Sequence, residues 1–309
     1  MRKTALLLVF LVAAACAEAP AASPTRSGEP SLGAVIVGAD ESSDLARRAA
    51  LLPAGSRTFR SGRRGVDALA EMSGRSDALA VVDARAIAAE LLEGATPRLE
   101  EQVPVARLAS EPYVIAVAPR SPLADAAALK KKLTEDASAV RFAGAEIGAL
   151  EHQIAALLVK DAENGAAAVV FAAYGSVPDA VNGVATGQSD VLVARYADAK
   201  AALASSTLRP LAITSEERVP GIDLPTLREA KIEVTLTDWA LLVGPASIGS
   251  ARLASLRDAV NRARASAHWA EAVRMNGWVD DATTEGMTTF LGMQFSRATS
   301  LYSQLGLRR

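Results

Sequence analysis

The side chains that most often carry catalysis are scarce in this sequence. It holds one cysteine, Cys16, and two histidines, His152 and His268, which stand far apart in the chain. A cysteine–histidine dyad or a multi-histidine metal site therefore lacks members. The motifs G-x-S-x-G, G-x-x-x-x-G-K-[ST] and G-x-G-x-x-G are also absent. Paired carboxylates remain available, so a secreted hydrolase stays open as a less favoured alternative.

Cys16 follows a segment with the form of a secretory signal. Met1-Arg2-Lys3 is a short basic start, and residues 4–15 form an uncharged apolar run that is too short to span a bilayer. Small residues precede the cysteine, and the junction resembles the bacterial lipobox, although Ala13 stands where leucine is usual. We predict a signal peptide over residues 1–15 and a lipid on Cys16 that anchors the chain to the outer face of the cytoplasmic membrane. The alternative is an ordinary secretion signal with a chance cysteine.

Composition indicates a globular protein after this segment. Half of the 309 residues are hydrophobic and the formal net charge is −2, which argues against disorder. Aromatic residues make up 4% and arginines are mixed with acids, so nucleic acid is excluded as a partner. Residues 16–32 are rich in Ala, Pro and Ser and predict a flexible, lipid-anchored tether.

Short apolar runs alternate with helical periodicity from residue 33 onwards. This alternation predicts an α/β fold in which parallel strands are joined by crossover helices. The predicted strands are Ala34–Val37, Ala78–Val82, Tyr113–Ala118, Val140–Ala143, Ala168–Phe171, Val191–Val193, Leu211–Thr214 and Leu236–Val243. The predicted helices between them are Asp44–Leu52, Leu123–Leu133, Glu151–Val159 and Pro178–Thr186.

Two helical patterns end the chain. The first begins at Ser250 and ends at Asn276-Gly277, and the second begins after Thr283-Thr284. Such helices could pack back across an earlier sheet, so that the chain leaves its first lobe and later returns to it. The continuous runs Tyr113–Ala118 and Leu236–Val243 are candidates for the two crossings, with a ligand cleft between the lobes.

Seven short segments, in order over residues 33–307, resemble a known family. They are Val103–Leu108 with Tyr113–Pro122, Leu208–Arg218 with Val219-Pro220-Gly221, Leu224-Pro225-Thr226, Asp238-Trp239 with Gly244-Pro245, His268-Trp269, Asn276-Gly277-Trp278 and Leu305-Gly306-Leu307. These segments resemble the TctC/Bug family, the extracytoplasmic solute receptors of tripartite tricarboxylate transporters.

The resemblance implies a two-lobed, periplasmic-binding-protein-like (type II) α/β fold with a central ligand cleft. We expect lobe 1 to comprise residues 33–117 and 238–309, and lobe 2 residues 118–237. The implied function is a receptor, not an enzyme, that captures a small carboxylate, amino acid or related polar metabolite. The resemblance also implies that no metal and no cofactor is required. Its implied partners are that small molecule and two integral-membrane transporter subunits, with the receptor itself a monomer. A ligand sensor for a membrane signalling protein is the main alternative.

By the same resemblance, main-chain amides of two strand-to-helix loops hold the ligand, since helix N-termini attract anions. The first loop comprises Gly38, Ala39, Asp40, Glu41, Ser42, Ser43 and Asp44. The second loop comprises Gly144, Ala145, Glu146, Ile147, Gly148 and Ala149, with His152 placed to orient it. Both loops depart from the family: Asp40-Glu41 replaces paired glycines, and Glu146 replaces a small or hydroxyl residue.

These substitutions add three carboxylates beside a presumed anion site. Like charges about 4 Å apart repel by about 4 kcal/mol at an effective dielectric constant of about 20, enough to abolish binding of a simple carboxylate. In one interpretation the ligand is cationic or zwitterionic and the carboxylates hold its amine. In the other, Asp40, Glu41 and Glu146 point to solvent and amides alone line the cleft. A degenerate receptor that binds little is a third possibility.

Further candidates lie at other loops near the expected cleft. Asp83 follows a strand at the edge where open α/β sheets bind ligands. Arg195 could counter Asp40, Glu41 or a ligand carboxylate, with a surface salt bridge as the alternative. The remaining candidates are Ser61 with the nearby Arg60, Arg63 and Arg64, and Tyr174 with Gly175 at a helix N-terminus. Trp239, Trp269 and Trp278 are expected in the core.

Overall fold

Apolar runs of the sequence form two separate β-sheets. The computed structural model describes residues 31–62 and 65–308. The predicted signal peptide, Cys16 and most of the predicted tether lie outside these residues, as do Arg63 and Arg64.

The first sheet takes strands from both ends of the described chain. Its strands are β1 Ala34–Val37, β2 Ser56–Phe59, β3 Ala78–Asp83, β4 Val103–Arg107 and β11 Ala240–Gly244. Their order in the sheet is β2-β1-β3-β11-β4. β1 runs parallel to β2 and β3, whereas β11 is antiparallel to β3 and β4. The last strand in sequence therefore lies inside the sheet that the first strands begin.

The second sheet is built from the middle of the chain. Its strands are β5 Glu111–Val117, β6 Arg141–Gly144, β7 Val170–Ala173, β8 Val191–Arg195, β9 Arg209–Ile213 and β10 Thr237–Asp238. β6 runs parallel to β7 and β8, and β5 is antiparallel to β8, β9 and β10. The predicted parallel strands with crossover helices are therefore present in both sheets, together with antiparallel returns.

Helices cover both sheets, and several begin at a side-chain cap. They are α1 Asp44–Ala50, α2 Val66–Ser73, α3 Arg85–Glu93, α4 Ala126–Glu135, α5 Leu150–Asp161, α6 Val177–Ala185, α7 Tyr196–Ala204, α8 Ser250–Arg264, α9 Ala267–Asn276 and α10 Met287–Gln304. Ser43 Oγ accepts from the Ala46 N–H at 3.1 Å, and Ser266 Oγ accepts from the Trp269 N–H at 3.1 Å. These caps satisfy N–H groups that a helix start leaves without partners.

Two predicted elements are divided in the structure. The run Leu236–Val243 is split into β10 and β11, with the buried Trp239 between them. The helix predicted from Ser250 to Asn276 is two helices, because Ser266 caps a new start. In the described chain, no helix combines the length and apolar character needed to cross a membrane.

The two sheets are joined at two places. Residues 108–110 connect β4 to β5, and Trp239 connects β10 to β11. β5 pairs wholly within the second sheet, so the first crossing lies before β5, whereas the sequence placed the lobe boundary after residue 117. We use "lobe 1" and "lobe 2" below for the first and second sheets with their helices. Trp239, Trp269 and Trp278 are buried, as predicted.

Candidate ligand-binding cleft

A cavity of about 120 Å³ lies where the two lobes meet. A space of this size holds several water molecules or a short solute. Lobe 1 contributes Asp83, Ala84 and Arg85, and β10, beside the second crossing, contributes Asp238. Lobe 2 contributes Tyr113, Ala145, Glu146, Ala149, Leu150, Glu151, Val177, Ala194, Arg195 and Asp198. The walls thus come from strand ends and helix starts of both sheets, where open α/β sheets bind ligands.

The wall from lobe 1 is an ion pair at the end of β3. Asp83, which is 3% exposed, accepts from the Arg85 main-chain N–H at 3.0 Å and from Arg85 Nη2 at 2.7 Å. Burial raises the pKa of Asp83, but the charge and hydrogen bonds of Arg85 outweigh it, so the pKa lies below its ordinary value. Asp83 is therefore a carboxylate that holds Arg85 against the cavity.

Arg195 faces the cavity from lobe 2, at the end of β8. Its Nε donates to Asp198 Oδ2 at 2.8 Å, and its Nη1 lies 3.7 Å from Asp238 Oδ2. Burial lowers the pKa of Arg195, but Asp238 and Asp198 raise it well above the ordinary value. The guanidinium stays charged and connects the cavity to the second crossing.

The second loop, residues 144–149, is satisfied by side chains of the helix that follows it. Glu151 Oε1 accepts from the N–H groups of Ala145 and Glu146 at 3.2 and 3.3 Å. Burial raises the pKa of Glu151, although these amides and Arg195 favour its charged form. A Cβ on Gly144 would lie 2.5 Å from Glu151 Cγ, so a glycine is needed there for Glu151 to fold back.

His152 completes this loop, as predicted. Its Nδ1 accepts from the Gly148 N–H at 3.1 Å, and its ring lies 4.6 Å from the Phe171 ring. Burial lowers the pKa of His152 to about 4, so the imidazole is neutral and its proton is on Nε2. Tyr302 of α10 donates to the Gly148 carbonyl at 2.5 Å, which ties the C-terminal helix to the loop.

Arg48 of α1 lies behind the cavity and holds both crossings between the lobes. Its side chain is fully buried. Nη1 donates to the carbonyls of Ala109 and Asp238 at 3.3 and 2.6 Å, and Nη2 donates to Asp238 Oδ2 at 2.7 Å. Nε lies 2.7 Å from Asp44 Oδ2. One guanidinium therefore fixes the positions of residues 109 and 238 relative to lobe 1.

Glu111 joins this group from the first residue of β5. It is 1% exposed, and its Oε1 accepts from the Ala197 N–H at 2.6 Å. Burial and the charge of Asp44 raise the pKa of Glu111 to about 8. We call Asp44, Arg48, Glu111, Arg195 and Asp238 the hinge cluster. One carboxylate oxygen from each of its three acids lies within 4.8 Å of the other two, and its two arginines supply positive charge beside them.

Solved structures similar to this chain share its two-lobed architecture. A TctC solute binding protein from Polaromonas is 18% identical with a TM-score of 0.72, and the match covers 91% of this chain and 100% of that one. MatC from Rhodopseudomonas palustris with bound malate is 18% identical with a TM-score of 0.65, covering 87% and 97%. Another R. palustris protein, with adipate, is 19% identical with a TM-score of 0.70, covering 88% and 96%.

The chain has the fold of TctC-type solute-binding proteins. The two-lobed α/β architecture predicted from the sequence is therefore confirmed. No protein-family model matches the sequence, and no curated protein is similar enough to count as a relative.

Within this fold, some of the predicted ligand contacts line the cavity. They are Asp83, Ala145, Glu146, Ala149 and Arg195. In the second loop, Gly144 and Gly148 support the turn through Glu151 and His152, whereas Ile147 is 40% exposed. The Gly175 N–H donates to the Ala145 carbonyl, and Tyr174 Oη lies 2.9 Å from Ser189 Oγ, so both brace the neighbouring turn without lining the cavity.

The first loop does not line the cavity. Asp40, Glu41 and also Ser61 are exposed, and Ser42 Oγ has no role in the cavity wall. Ser43 caps α1, and Asp44 turns inward to Arg48 and to Trp278, whose Nε1 donates to it at 2.9 Å. Gly38 and Ala39 are buried. A Cβ on Gly38 would lie 2.8 Å from the Cα of Gly65, which precedes α2, so the close approach of these two segments requires a glycine at position 38.

Several cavity residues were not predicted from the sequence, chief among them Arg85, Glu151 and Asp238. Arg85 lies two residues after Asp83, and Glu151 stands in the first turn of the helix that follows the second loop. Their closeness in sequence to predicted site residues was the signal that could have identified Arg85 and Glu151. Asp238 carried the family resemblance, but the pairing of its carboxylate with Arg48 joins residues 190 positions apart.

Proposed function

We propose that the chain is an extracytoplasmic solute-binding receptor that delivers a small carboxylate, amino acid or related polar metabolite to a tripartite tricarboxylate-type transporter. The observation that carries the proposal is the cavity between the lobes, with charged walls from both sheets and two adjoining crossings. Malate and adipate bound to proteins of the same fold support a polar organic ligand.

Closure of the lobes would couple ligand capture to recognition by the membrane subunits. Residues 108–110 and Trp239 are the connections about which the lobes can move. Asp238 contacts Arg48 on the side of the crossings and Arg195 on the side of the cavity. A ligand that draws Arg195 toward itself would therefore change the contacts of the second crossing.

The place of action follows from the N-terminal sequence. A lipid on Cys16 and the tether to residue 32 would hold the receptor at the outer face of the cytoplasmic membrane. There, as a monomer without a cofactor, it would meet two integral-membrane transporter subunits.

A ligand screen tests this function. Thermal-shift measurements on the full chain with carboxylates, amino acids and amines should give one coherent class of stabilising ligands, followed by calorimetry for the Kd. Small-angle scattering should then report a smaller radius of gyration with the ligand than without it. A folded protein that no such solute stabilises would contradict the proposal.

A further inference from the structure

The N–H groups of the second loop are already engaged by an acid of the chain itself. In a receptor that grips a ligand carboxylate with loop amides, those donors must be accessible to the ligand. Here the N–H groups of Ala145 and Glu146 donate to Glu151 Oε1, and the Gly148 N–H donates to His152. The Glu151 carboxylate thus occupies the position that a ligand anion would need on this turn.

Acidic groups also outnumber basic groups around the cavity. Among the described lining residues five are carboxylates and two are guanidiniums: Asp83, Glu146, Glu151, Asp198 and Asp238 against Arg85 and Arg195. Glu146 and Glu151 come from the second loop and the start of α5, on the lobe 2 side, where the loop amides would otherwise attract an anion. The part of the cavity beside the second loop therefore presents two acidic side chains.

The two arginines keep unused donors for the other end of a ligand. Arg85 contacts Asp83 through Nε and Nη2, and Arg195 contacts Asp198 and Asp238 through Nε and Nη1. Nη1 of Arg85 and Nη2 of Arg195 donate no hydrogen bond to the described residues. Guanidinium donors of this kind suit a carboxylate.

We infer that the cavity selects a short zwitterion, with its ammonium group against Glu146 and Glu151 and its carboxylate against Arg85 and Arg195. This inference rests on the proposed receptor function and names the ligand class for it. Glu151 is the residue that sets the specificity, because it replaces an anion-binding turn by an acidic wall. The cavity volume of about 120 Å³ favours a small ligand.

Matched pairs of ligands test the inference by calorimetry on the full chain. Glycine and malonate, β-alanine and succinate, and γ-aminobutyrate and glutarate each share a chain length and differ in one end group, ammonium or carboxylate. In at least one pair the zwitterion should bind at least about tenfold more tightly, a difference of about 1.4 kcal/mol. A dicarboxylate that binds as tightly as its zwitterion, or more so, would overturn the inference and leave the receptor function standing.

Variants of Glu151 locate the selectivity. Glu151→Gln keeps an acceptor for the loop amides but loses the charge, and should weaken the zwitterion at least about tenfold. Glu151→Ala frees the amides and should shift the preference toward the dicarboxylate. Glu135→Gln, on the exposed face of α4, is the matched control and should bind as the unchanged protein does.

Two further outcomes count against the inference. Unchanged zwitterion preference in Glu151→Gln, with circular dichroism showing a folded protein, would place the selectivity elsewhere. If the folded, unchanged protein binds neither these probes nor any solute of the wider screen, the receptor function fails as well. If Glu151→Ala does not fold, the zwitterion affinity of Glu151→Gln still tests the inference.

Discussion

Buried charged residues connect the two lobes at the centre of the molecule. Arg48 is buried without solvent contact, and its donors reach Asp44, Ala109 and Asp238. A buried ion pair contributes little net stability when whole, but removal of one partner leaves an uncompensated charge. The hinge cluster is therefore most sensitive to changes of a single member.

Arg48→Met should lower the free energy of unfolding by about 3–5 kcal/mol, because Asp44 and Asp238 would stay buried without their cation. Arg47→Met is the matched control on the same helix: Arg47 also contacts Asp44, but 46% of its side chain is exposed. Its loss should cost less than about 1 kcal/mol. Urea denaturation measures both. Equal losses of unfolding free energy in the two variants would show that the burial of Arg48 does not increase its contribution to stability.

Glu111 should make stability depend on pH. Its pKa is about 8 in the folded protein, with Asp44, Arg48, Arg195 and the Ala197 N–H around it, against an ordinary value near 4.5. Between its ordinary pKa and about pH 8, the folded state therefore binds more protons than the unfolded state. The stabilisation that protonated Glu111 contributes is complete below the ordinary pKa and is lost as the pH rises through about 8. Glu111→Gln should lose less Tm between mildly acidic and mildly alkaline buffer than the unchanged protein. The same slope in both proteins would contradict this.

Strands, helices and turns show which parts of the fold local sequence determines. β1 has the predicted bounds, because its four residues are apolar and pack into the interior. β2 and β4 were not predicted, because β2 is polar and partly exposed and Pro104 interrupts the pattern of β4. Both are edge strands, where such residues are tolerated.

The candidate site was less predictable than the elements that carry it. Asp83 and Arg195 were found because strand ends mark ligand sites in α/β sheets. Glu151 was not, since the return of its side chain onto the N–H groups of residues 145 and 146 depends on the glycine at position 144. The position of Asp44 likewise depends on Trp278, which lies 234 residues later.

Gly144→Ala should dislodge Glu151 from the second loop. The added Cβ would lie 2.5 Å from Glu151 Cγ and 2.7 Å from Phe171 Cζ, so overpacking should cost about 1–3 kcal/mol of unfolding free energy. Gly165→Ala is the control in the same lobe, because nothing lies within 4 Å of a Cβ there. Denaturant melts compare the two. A Gly144→Ala protein as stable as the control would mean that Glu151 is not held in place by this glycine.

The whole molecule is organised around the return of its C-terminal segment. α10 packs against β4 and α3 of lobe 1 and against α5 of lobe 2, and its Tyr302 bonds to the second loop. The C-terminal helix thus contacts both sides of the cleft. Small relative motions of the lobes must be accommodated along this helix as well as at the crossings.

The attachment of the protein is tested at the N-terminus. Cys16→Ser should move the protein from the membrane fraction to the soluble fraction, since a lipid on this residue is the proposed anchor. Ala14→Ser leaves the cysteine in place and is the control. Fractionation followed by immunoblotting gives the distribution. Membrane association that survives Cys16→Ser would show that the cysteine is not the anchor.

The position of β11 in the first sheet dictates when that lobe can form. β11 lies between β3 and β4, and it is made from residues 240–244, long after both neighbours. While the ribosome is still producing the chain, the early strands lack the one that must separate them, whereas lobe 2 is completed by Asp238. Nascent lobe 1 therefore stays unfinished until residues 240–244 have been synthesised, after the strands of lobe 2 are complete.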